Sequence, residues 1–409
     1  MDAEIAAQDF CAIRDRLALT ERQLATLAAR EPVVRAFVIC DVPAARAARS
    51  SQGPLAGALI GVKDIITTAD FPTRYGADGA EERGPREDAW CVAQVRRLGA
   101  TILGKTACTE FAYPVPGPTT NPHDATRTPG GSSSGSAAAV AAGFVSFALG
   151  TQTAGSTIRP ASYCGVTGYK PSYGLLPLEG VQAISTTLDH LGIFARSPRD
   201  AWYLTSAMLM RAPEILPACA PRRVLMLNLP VAHEYGAHMS ALAASLARDG
   251  IAVETLDLPF AAEDFTGLQQ QLCYWEAARI LRVPGPARVV PQLEALLAPY
   301  AAASVETYAA ARRRREQHQA AFEALAGGYD AILTPAATGP APSLETTGDA
   351  IMSRFFTALH VPAFSVPMGW EGGLPLGLQL LGRLGEDRAL AATAQWFFES
   401  IGQSGARHA

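Results

Sequence analysis

One long stretch of the chain, residues 128–158, contains no charged side chain, and it restricts the possible folds more than any other feature. It is rich in alanine, glycine and serine. Its length raises the question of a membrane-spanning helix, but Pro129, Gly130 and the serine hydroxyls that follow interrupt it. Because small side chains let a helix lie close to its neighbours, residues 137–149 predict a central helix followed by a short strand.

Strand and helix patterns alternate around this stretch. Residues 55–62 predict a buried strand, 90–98 a helix that Gly99 ends, and 100–103 a parallel strand. The remaining apolar runs predict strands at 223–228, 329–334, 363–367 and 376–381. This alternation of strands and helices favours an α/β core.

No internal repeat and no linker rich in proline, glycine or serine divides the chain. We therefore predict one domain over residues 51–409, in which residues 200–330 form a mostly helical cover. Apolar residues recur at helical spacing within residues 1–50, which predicts an N-terminal helical segment that packs on the body.

Composition excludes several classes of protein. Hydrophobic residues make up 49% of the chain and charged residues 18%, which excludes intrinsic disorder. A net charge of −4 provides no basic excess for a phosphate backbone, so we predict no nucleic-acid partner. The N-terminus lacks the pattern of a secretory signal, and the seven scattered cysteines form no CxxC pair. These features predict a cytoplasmic protein with reduced thiols and no membrane association.

Two loops of small residues, 129–136 and 150–160, flank the predicted central helix and strand. Glycines permit backbone conformations and close approaches that other residues cannot adopt. Clustered serine hydroxyls beside free backbone N–H groups suit an oxyanion or a phosphate. The chemistry of the chain is therefore expected at these two loops.

The first loop alone allows three interpretations. Gly130 and Gly135 have the spacing of a phosphate-binding P-loop, but Ser136 stands where that motif requires lysine. Residues 131–135 fit the GxSxG nucleophile elbow, with Ser133 as the nucleophile of a Ser–His–Asp hydrolase. The third interpretation is a helix-capping loop without chemistry, as in a non-catalytic binding protein.

Three blocks of sequence, taken together, resemble the amidase signature family. They are Gly-Val-Lys-Asp at 61–64, Gly-Gly-Ser-Ser-Ser-Gly-Ser at 130–136 and Gly-Thr-Gln-Thr-Ala-Gly-Ser at 150–156. Their order and separations agree with the family, and the similarity extends from about residue 50 to 400. The resemblance implies the amidase signature fold, an α/β fold that is a single-domain α/β/α sandwich with a central mixed twisted β-sheet covered by helices. It also implies an amidohydrolase that cleaves a C–N bond in a linear amide.

By this resemblance the catalytic triad is Lys63, Ser132 and Ser156. Ser156 would attack the amide carbonyl and form an acyl-enzyme, while Ser132 would relay the proton to Lys63 and later to the leaving amine. Lys63 must then be neutral, which requires a pKa well below about 10.4. Uncharged surroundings would lower that pKa, whereas the adjacent Asp64 would raise it unless its side chain points elsewhere. The family also implies a cis peptide bond between Gly131 and Ser132.

The resemblance assigns the oxyanion hole to four consecutive backbone N–H groups, which belong to Thr153, Ala154, Gly155 and Ser156. Such donors stabilise the charge that develops on the carbonyl oxygen in the transition state. Phe111 and Tyr113 precede the serine block and are predicted to wall the acyl pocket. The pocket as a whole is expected to be assembled from the loops 111–120, 180–190 and 335–360.

The nucleophile loop departs from the commoner family pattern at two positions. Gln152 stands where aspartate is usual, and Ile158 stands where arginine is usual, with Arg159 one place later. If the aspartate and arginine pair in relatives, both charges are missing here together, so we expect no lone buried charge. The chain is thereby predicted to belong to a separate subgroup.

The resemblance also bears on partners. It implies a small-molecule amide substrate, no metal, no organic cofactor and a homodimer. Urea-like and carbamate-like substrates are alternatives to a plain amide. Another alternative is a transamidation subunit, which passes released ammonia to a partner acting on charged tRNA.

Overall fold

A sheet of eleven strands runs through the part of the chain that the computed structural model describes, residues 9–77, 84–209, 213–231, 234–281 and 291–405. In chain order the strands are β1 (Phe37–Cys40), β2 (Leu59–Lys63), β3 (Thr101–Thr106), β4 (Phe147–Gln152), β5 (Thr167–Lys170), β6 (His190–Ala195), β7 (Arg223–Asn228), β8 (Ala252–Asp257), β9 (Ala331–Pro335), β10 (Ala363–Glu371) and β11 (Leu374–Leu381).

Parallel and antiparallel neighbours both occur in this sheet, whose order is β1-β3-β2-β4-β6-β5-β10-β11-β9-β7-β8. Strand β2 runs parallel to β3 and β4, and β7 runs parallel to β8 and β9, whereas the other pairs are antiparallel. Every residue of β2, β3 and β4 is buried, as expected for parallel strands covered on both faces. The structure confirms the predicted α/β/α sandwich with a mixed sheet.

Helices cover this sheet. Those in the described residues are α1 (Arg16–Val34), α2 (Val42–Ala48), α3 (Trp90–Arg97), α4 (Ser134–Ala141), α5 (Ile158–Cys164), α6 (Pro198–Met208), α7 (Gly236–Arg248), α8 (Ala262–Ile280), α9 (Pro291–Ala301), α10 (Val305–Ala326), α11 (Ile351–Ala358) and α12 (Asp387–Gly405), with short 3₁₀ turns at Phe10–Ala12 and Glu110–Ala112. Within those residues, no helix combines the length and the apolar composition needed to cross a membrane.

The small-residue helix α4 is buried along its whole length, and its N-terminal turn approaches other backbone segments closely. A Cβ atom added at Gly135 would lie 2.0 Å from the carbonyl oxygen of Ala36 and 2.5 Å from the amide nitrogen of Ala107. A larger residue therefore cannot occupy position 135 without displacing the backbone before β1 and after β3. This close packing places the serine block beside the ends of the central strands.

The sheet contains four strands that the sequence analysis did not predict, which are β1, β5, β6 and β8. Strand β1 lies inside the segment 1–50, between α1 and α2, and pairs antiparallel with β3. Strand β8 lies inside the segment 200–330, which was expected to contain a single strand. Because β1 and β8 are the outermost strands and are largely exposed or half-buried, they lack the buried apolar run that marks β2.

Candidate active site

Lys63 is the last residue of β2, and the neighbouring parallel strand β4 ends beside it. Sites in α/β proteins commonly form at this edge, outside the carboxyl ends of the strands. The Nζ of Lys63 donates hydrogen bonds to Ser132 Oγ and to Thr151 Oγ1, each at 2.7 Å. The fold therefore brings together two of the three residues predicted as a triad, although they are far apart in the sequence.

Burial changes the ionisation of Lys63. Its side chain has no exposed surface, and desolvation lowers its pKa to about 8, against opposing effects of Cys108 and Asp189. A charged ammonium is disfavoured in such surroundings because water no longer solvates it. A substantial fraction of Lys63 is therefore neutral near pH 8, and its amine nitrogen lies in hydrogen-bond contact with the Ser132 hydroxyl.

The carboxylate of Asp64 points away from Lys63 and towards another lysine. Its Oδ1 lies 3.4 Å from Lys105 Nζ, and its Oδ2 accepts the backbone N–H of Gly76 at 3.2 Å. Asp64 thus pairs with Lys105 inside the protein. The low pKa of Lys63 is consequently compatible with an acidic residue at the next position.

The loop before α4 has the backbone conformation that the resemblance implies. The peptide bond between Gly131 and Ser132 is cis. Gly130 has a φ of 83°, in the left-handed region that favours glycine, and its carbonyl accepts a hydrogen bond from Ser134 Oγ at 2.8 Å. These contacts hold the backbone on both sides of Ser132.

Ser133 and Ser136 attach α4 to β4. The fully buried Ser133 Oγ donates to Thr151 O at 3.2 Å and accepts from Thr151 N at 3.3 Å, and Ser136 Oγ donates to Leu149 O at 3.0 Å. Among the described hydrogen bonds, none joins Ser133 to a histidine. Ser133 therefore has the contacts of a structural residue, which disfavours the nucleophile-elbow interpretation.

The loop after β4 presents four backbone N–H groups. Those of Thr153, Ala154, Gly155 and Ser156 donate no hydrogen bond to any residue that the structure describes. Three of the carbonyl groups, in contrast, are engaged, and that of Gly155 accepts the backbone N–H of Arg159 at 3.0 Å. Gln269 Nε2 donates to Thr153 O at 2.8 Å, and Thr357 Oγ1 donates to Ala154 O at 2.6 Å. A loop with adjacent unengaged N–H groups can bind an oxyanion.

Asp189 holds the start of this loop, and the sequence analysis did not identify it. Its Oδ1 accepts from Thr153 Oγ1 at 2.5 Å, and its Oδ2 accepts the N–H groups of Ile184 and Ser185 at 2.8 and 2.9 Å. Burial raises the pKa of Asp189 to about 6, so the carboxylate is still mainly ionised at neutral pH. An ionised acceptor strengthens all three hydrogen bonds and ties the loop to the segment before β6.

Gln152 holds the other end of the loop. Its Oε1 accepts the N–H groups of Thr157 and Ile158 at 2.8 and 3.0 Å, and its Nε2 donates to Thr357 Oγ1 at 2.9 Å. The side-chain oxygen thereby satisfies two N–H groups at the beginning of α5. The neutral amide makes these bonds without placing a negative charge in the interior.

A lone buried charge does remain near this loop, contrary to the expectation from the sequence, and it belongs to Arg159. Its side chain lies in α5 with a relative exposure of 5%, and no ion pair among the described residues includes it. One guanidinium nitrogen, Nη2, donates to Gly131 O at 2.6 Å, while Nε has no partner in the described chain. The expectation was wrong because it considered only positions 152 and 158, whereas the buried cation lies at position 159.

A cavity of about 320 Å³ lies beside these elements, and both Ser132 and Ser156 line it. Thr153, Ala154 and Arg159 also contribute to its wall. The described hydrogen bonds do not include one between Ser132 and Ser156. The third predicted triad residue is thus placed at the same cavity as Ser132 without a direct bond to it. The volume suits a small organic molecule.

Of the two aromatic residues predicted to wall the pocket, only Tyr113 lines the cavity. Phe111 lies in the core instead, with its ring centroid 5.6 Å from that of Tyr75 and its N–H bonded to Tyr75 O at 2.8 Å. The backbone turns through positive φ values at Phe111 and Ala112, and the ring of Phe111 packs against the core rather than the cavity.

The remaining cavity wall comes from three parts of the chain. The first two fall within the expected loops 180–190 and 335–360, and they supply Ile184, Thr346, Gly348, Asp349, Ala350 and Arg354. The third is α8, which was predicted only as part of a helical cover and supplies Gln269, Gln270, Cys273 and Tyr274. Among the described residues, no group of three His, Cys, Asp or Glu side chains is placed to hold a metal ion.

Comparisons with known protein sequences point to one family. The family model described as Amidase matches residues 18–226. A glutamyl-tRNA(Gln) amidotransferase subunit from Roseiflexus sp. is 32% identical, with 91% of this chain and 90% of the relative covered. The corresponding protein from Roseiflexus castenholzii is 44% identical, but that match covers only 45% of this chain and 41% of the relative.

Solved structures give the same result at the level of the fold. A crystal structure described as an amidase superposes with a TM-score of 0.84 at 30% identity, covering 95% of this chain and 96% of the other. The native peptide amidase from Stenotrophomonas maltophilia superposes with a TM-score of 0.79 at 27% identity, covering 98% of this chain and 96% of the other. The family model over half of the chain and the relative that is 32% identical over nine-tenths of it show that the chain belongs to the amidase family.

Proposed function

We propose that this protein hydrolyses the C–N bond of a small-molecule amide through an acyl-enzyme on Ser156. The observation that carries the proposal is the 2.7 Å contact between the buried Lys63 Nζ and Ser132 Oγ, at a cavity that Ser156 also lines. A lysine with a lowered pKa in contact with a hydroxyl can act as a general base. Membership of the amidase family supports an enzyme that acts on C–N bonds.

The proposed reaction transfers one proton along the three side chains. Neutral Lys63 accepts the proton of Ser132, and Ser132 accepts the proton of Ser156 as Ser156 Oγ bonds to the amide carbon. The negative charge on the carbonyl oxygen is stabilised by the N–H groups of the loop 153–156. The proton then returns through Ser132 to the amine nitrogen as the C–N bond breaks, which leaves an ester on Ser156. Water cleaves that ester by the same route.

The proposed proton path requires Ser156 Oγ to approach Ser132 Oγ. Catalytic hydrogen bonds are often long or misaligned without substrate and become shorter in the substrate complex. The two serines already share one cavity wall, and Gln152 and Asp189 hold the loop that carries Ser156 at its two ends. We therefore propose that bound substrate completes the path.

A second candidate is a transamidation subunit, which the names of the curated relatives favour. Such a protein releases ammonia for use by a partner. Incubating the purified chain alone with a panel of amides, ureas and carbamates, and measuring ammonia and amine release, separates the candidates. Turnover by the chain alone supports the hydrolase, whereas release only in the presence of a partner supports the transamidation subunit. A homodimer and a cytoplasmic location remain proposals that rest on the resemblance and on the cysteine pattern.

Covalent labelling tests the assignment of the nucleophile. We expect a fluorophosphonate to modify one serine stoichiometrically, because the base-activated hydroxyl attacks phosphorus as it would attack a carbonyl carbon. Peptide mass spectrometry should locate the modification at Ser156. Modification of Ser133 would instead support the nucleophile elbow, and a protein that remains unlabelled would point to a binding function.

The pH dependence of the rate tests the role of Lys63. We expect kcat/KM to rise about tenfold per pH unit below pH 8 and to level off above it, because only the neutral amine accepts a proton. The sign follows from the lowered pKa of Lys63, about 8, since raising the pH through this value removes the ammonium proton. A profile measured from about pH 5.5 to about pH 9.5 that is flat, or that falls with rising pH, would contradict this assignment.

A further inference from the structure

Arg159 brings a buried positive charge to the cavity. It is 5% exposed, it lines the cavity, and only one of its nitrogens has a described partner, the neutral carbonyl oxygen of Gly131. Its Nε is buried with no partner among the described residues. A buried guanidinium without a counterion is costly, because the lost hydration is not replaced by an opposite charge. Asp349 attracts this cation over a distance and forms no ion-pair contact with it, so the cavity holds a guanidinium without a contacting counterion in the described chain.

The other ionisable groups of the cavity do not neutralise Arg159. The only carboxylate in its described wall, that of Asp349, is bound by Arg354 Nη2 at 2.6 Å and is 56% exposed. Burial raises the pKa values of Tyr113 and Tyr274, so both phenols stay neutral at physiological pH. Burial likewise raises the pKa of Cys273 and keeps its thiol protonated. The described wall therefore carries two guanidinium groups and one carboxylate, an excess of one positive charge.

We propose that the substrate is an amide that carries a carboxylate group, which Arg159 binds; this deepens the proposed function and rests on it. A guanidinium presents its N–H groups as a planar fork that matches the two oxygens of a carboxylate. The bound carboxylate supplies the counterion that no described residue within ion-pair distance provides. An uncharged amide of the same shape leaves the cation unpaired.

The position of Arg159 places the carboxylate on the acyl part of the substrate. Its guanidinium bonds to the carbonyl of the residue that precedes Ser132, and its own N–H bonds to the carbonyl of the residue that precedes Ser156, at 3.0 Å. Arg159 is thus anchored beside both reactive hydroxyls. Together with the volume of about 320 Å³, this favours a short dicarboxylic acid in which one carboxyl group is an amide.

Matched substrates test this proposal. Succinamate carries the carboxylate, and 4-oxopentanamide replaces it by a neutral methyl ketone of similar shape. We expect the wild-type kcat/KM for succinamate to exceed that for 4-oxopentanamide by on the order of 10- to 100-fold, as for other hydrogen bonds to charged groups. N-acetylglycine, whose carboxylate lies on the amine part, should resemble the neutral amide. A preference for N-acetylglycine, or no preference for succinamate, would overturn the proposal.

Variants test whether Arg159 causes the preference for succinamate. Arg159→Met should reduce the ratio of the two kcat/KM values to near one, whereas Arg159→Lys, which keeps the charge but not the planar fork, should restore part of it. Arg354→Met is the matched control, because it removes the other cavity guanidinium, which already has a carboxylate partner. It should retain the preference for succinamate. Loss of the preference in Arg354→Met alone would assign the carboxylate to Arg354 and overturn the proposal.

Calorimetric binding of succinate separates this proposal from the proposed function. We expect the wild-type protein to bind succinate and Arg159→Met to bind it at least about tenfold more weakly. Succinate binding without turnover of any amide would support the carboxylate site and count against the hydrolase. Turnover of neutral amides without succinate binding would support the hydrolase and overturn the carboxylate site. Binding to the wild type remains a test even if Arg159→Met does not fold.

Discussion

Replacing Lys63 by methionine is expected to lower kcat/KM by on the order of 10³-fold or more. The amine of Lys63 contacts Ser132 Oγ and Thr151 Oγ1, and Ser132 lines the cavity, whereas no lysine is among the described residues that line it. Methionine has a similar length and no basic nitrogen, so it removes the proton acceptor and keeps most of the buried volume. Steady-state kinetics at about pH 9, where most of the wild-type lysine is neutral, measures the loss directly.

Lys170→Met provides a matched control for this experiment. Lys170 is also fully buried, and desolvation lowers its pKa to about 7. Its Nζ donates to the carbonyl oxygens of Pro171 and Val361, and it does not line the cavity. We therefore expect Lys170→Met to reduce stability while keeping kcat/KM within about tenfold of the wild type. Full activity in Lys63→Met would remove the proposed base, and equal losses in both variants would point to a general effect of emptying a buried lysine site.

The sequence predicted some of the buried elements of the fold and missed others. Strands β5 and β6 are buried at every residue but were not predicted, and β5, Thr-Gly-Tyr-Lys, carries no apolar run. Strand β2 and helix α4 are buried at every residue, and such runs of apolar and small residues are visible along the chain. Strand β8 is an edge strand with only exposed and half-buried residues, so its pattern resembles that of a loop. Strand β1 is four residues long and lies between two helices. Pairing with the sheet, rather than local composition, defines these two strands.

The sequence likewise indicated some residues of the candidate site and missed others. Lys63, Ser132 and the loop 153–156 lie in continuous motifs, which the sequence displays. Asp189 and Gln269 contact Thr153 from 36 and 116 positions away, and neither lies in a pattern that indicates this contact. Only the three-dimensional fold brings the Asp189 carboxylate and the Gln269 amide to the loop.

Replacing Ser156 by alanine is expected to lower kcat/KM by on the order of 10⁴- to 10⁶-fold, the largest effect among these predictions. The variant keeps the Lys63–Ser132 contact and the N–H groups of the loop, so the loss reports the missing nucleophile rather than a missing base. A residual rate above the uncatalysed reaction is expected, because the proposed oxyanion hole still stabilises the negative charge that forms on the carbonyl oxygen when water attacks the amide. Because the residual rate is low, amine release is measured in stopped assays over several hours. The variant is repurified so that contaminating wild-type protein does not contribute to the rate.

Ser133→Ala distinguishes the two serines that the sequence offers as nucleophiles. The Ser133 hydroxyl bonds only to the backbone of Thr151 among the described residues, so its removal leaves a buried N–H and a buried carbonyl without that partner. This should reduce the free energy of unfolding by about 1–3 kcal/mol, with kcat/KM within about tenfold of the wild type. Chemical denaturation measures the first quantity and steady-state kinetics the second. Near-complete inactivation of Ser133→Ala together with an active Ser156→Ala would reverse the assignment, because the two hydroxyls lie on different loops and only one can form the acyl-enzyme.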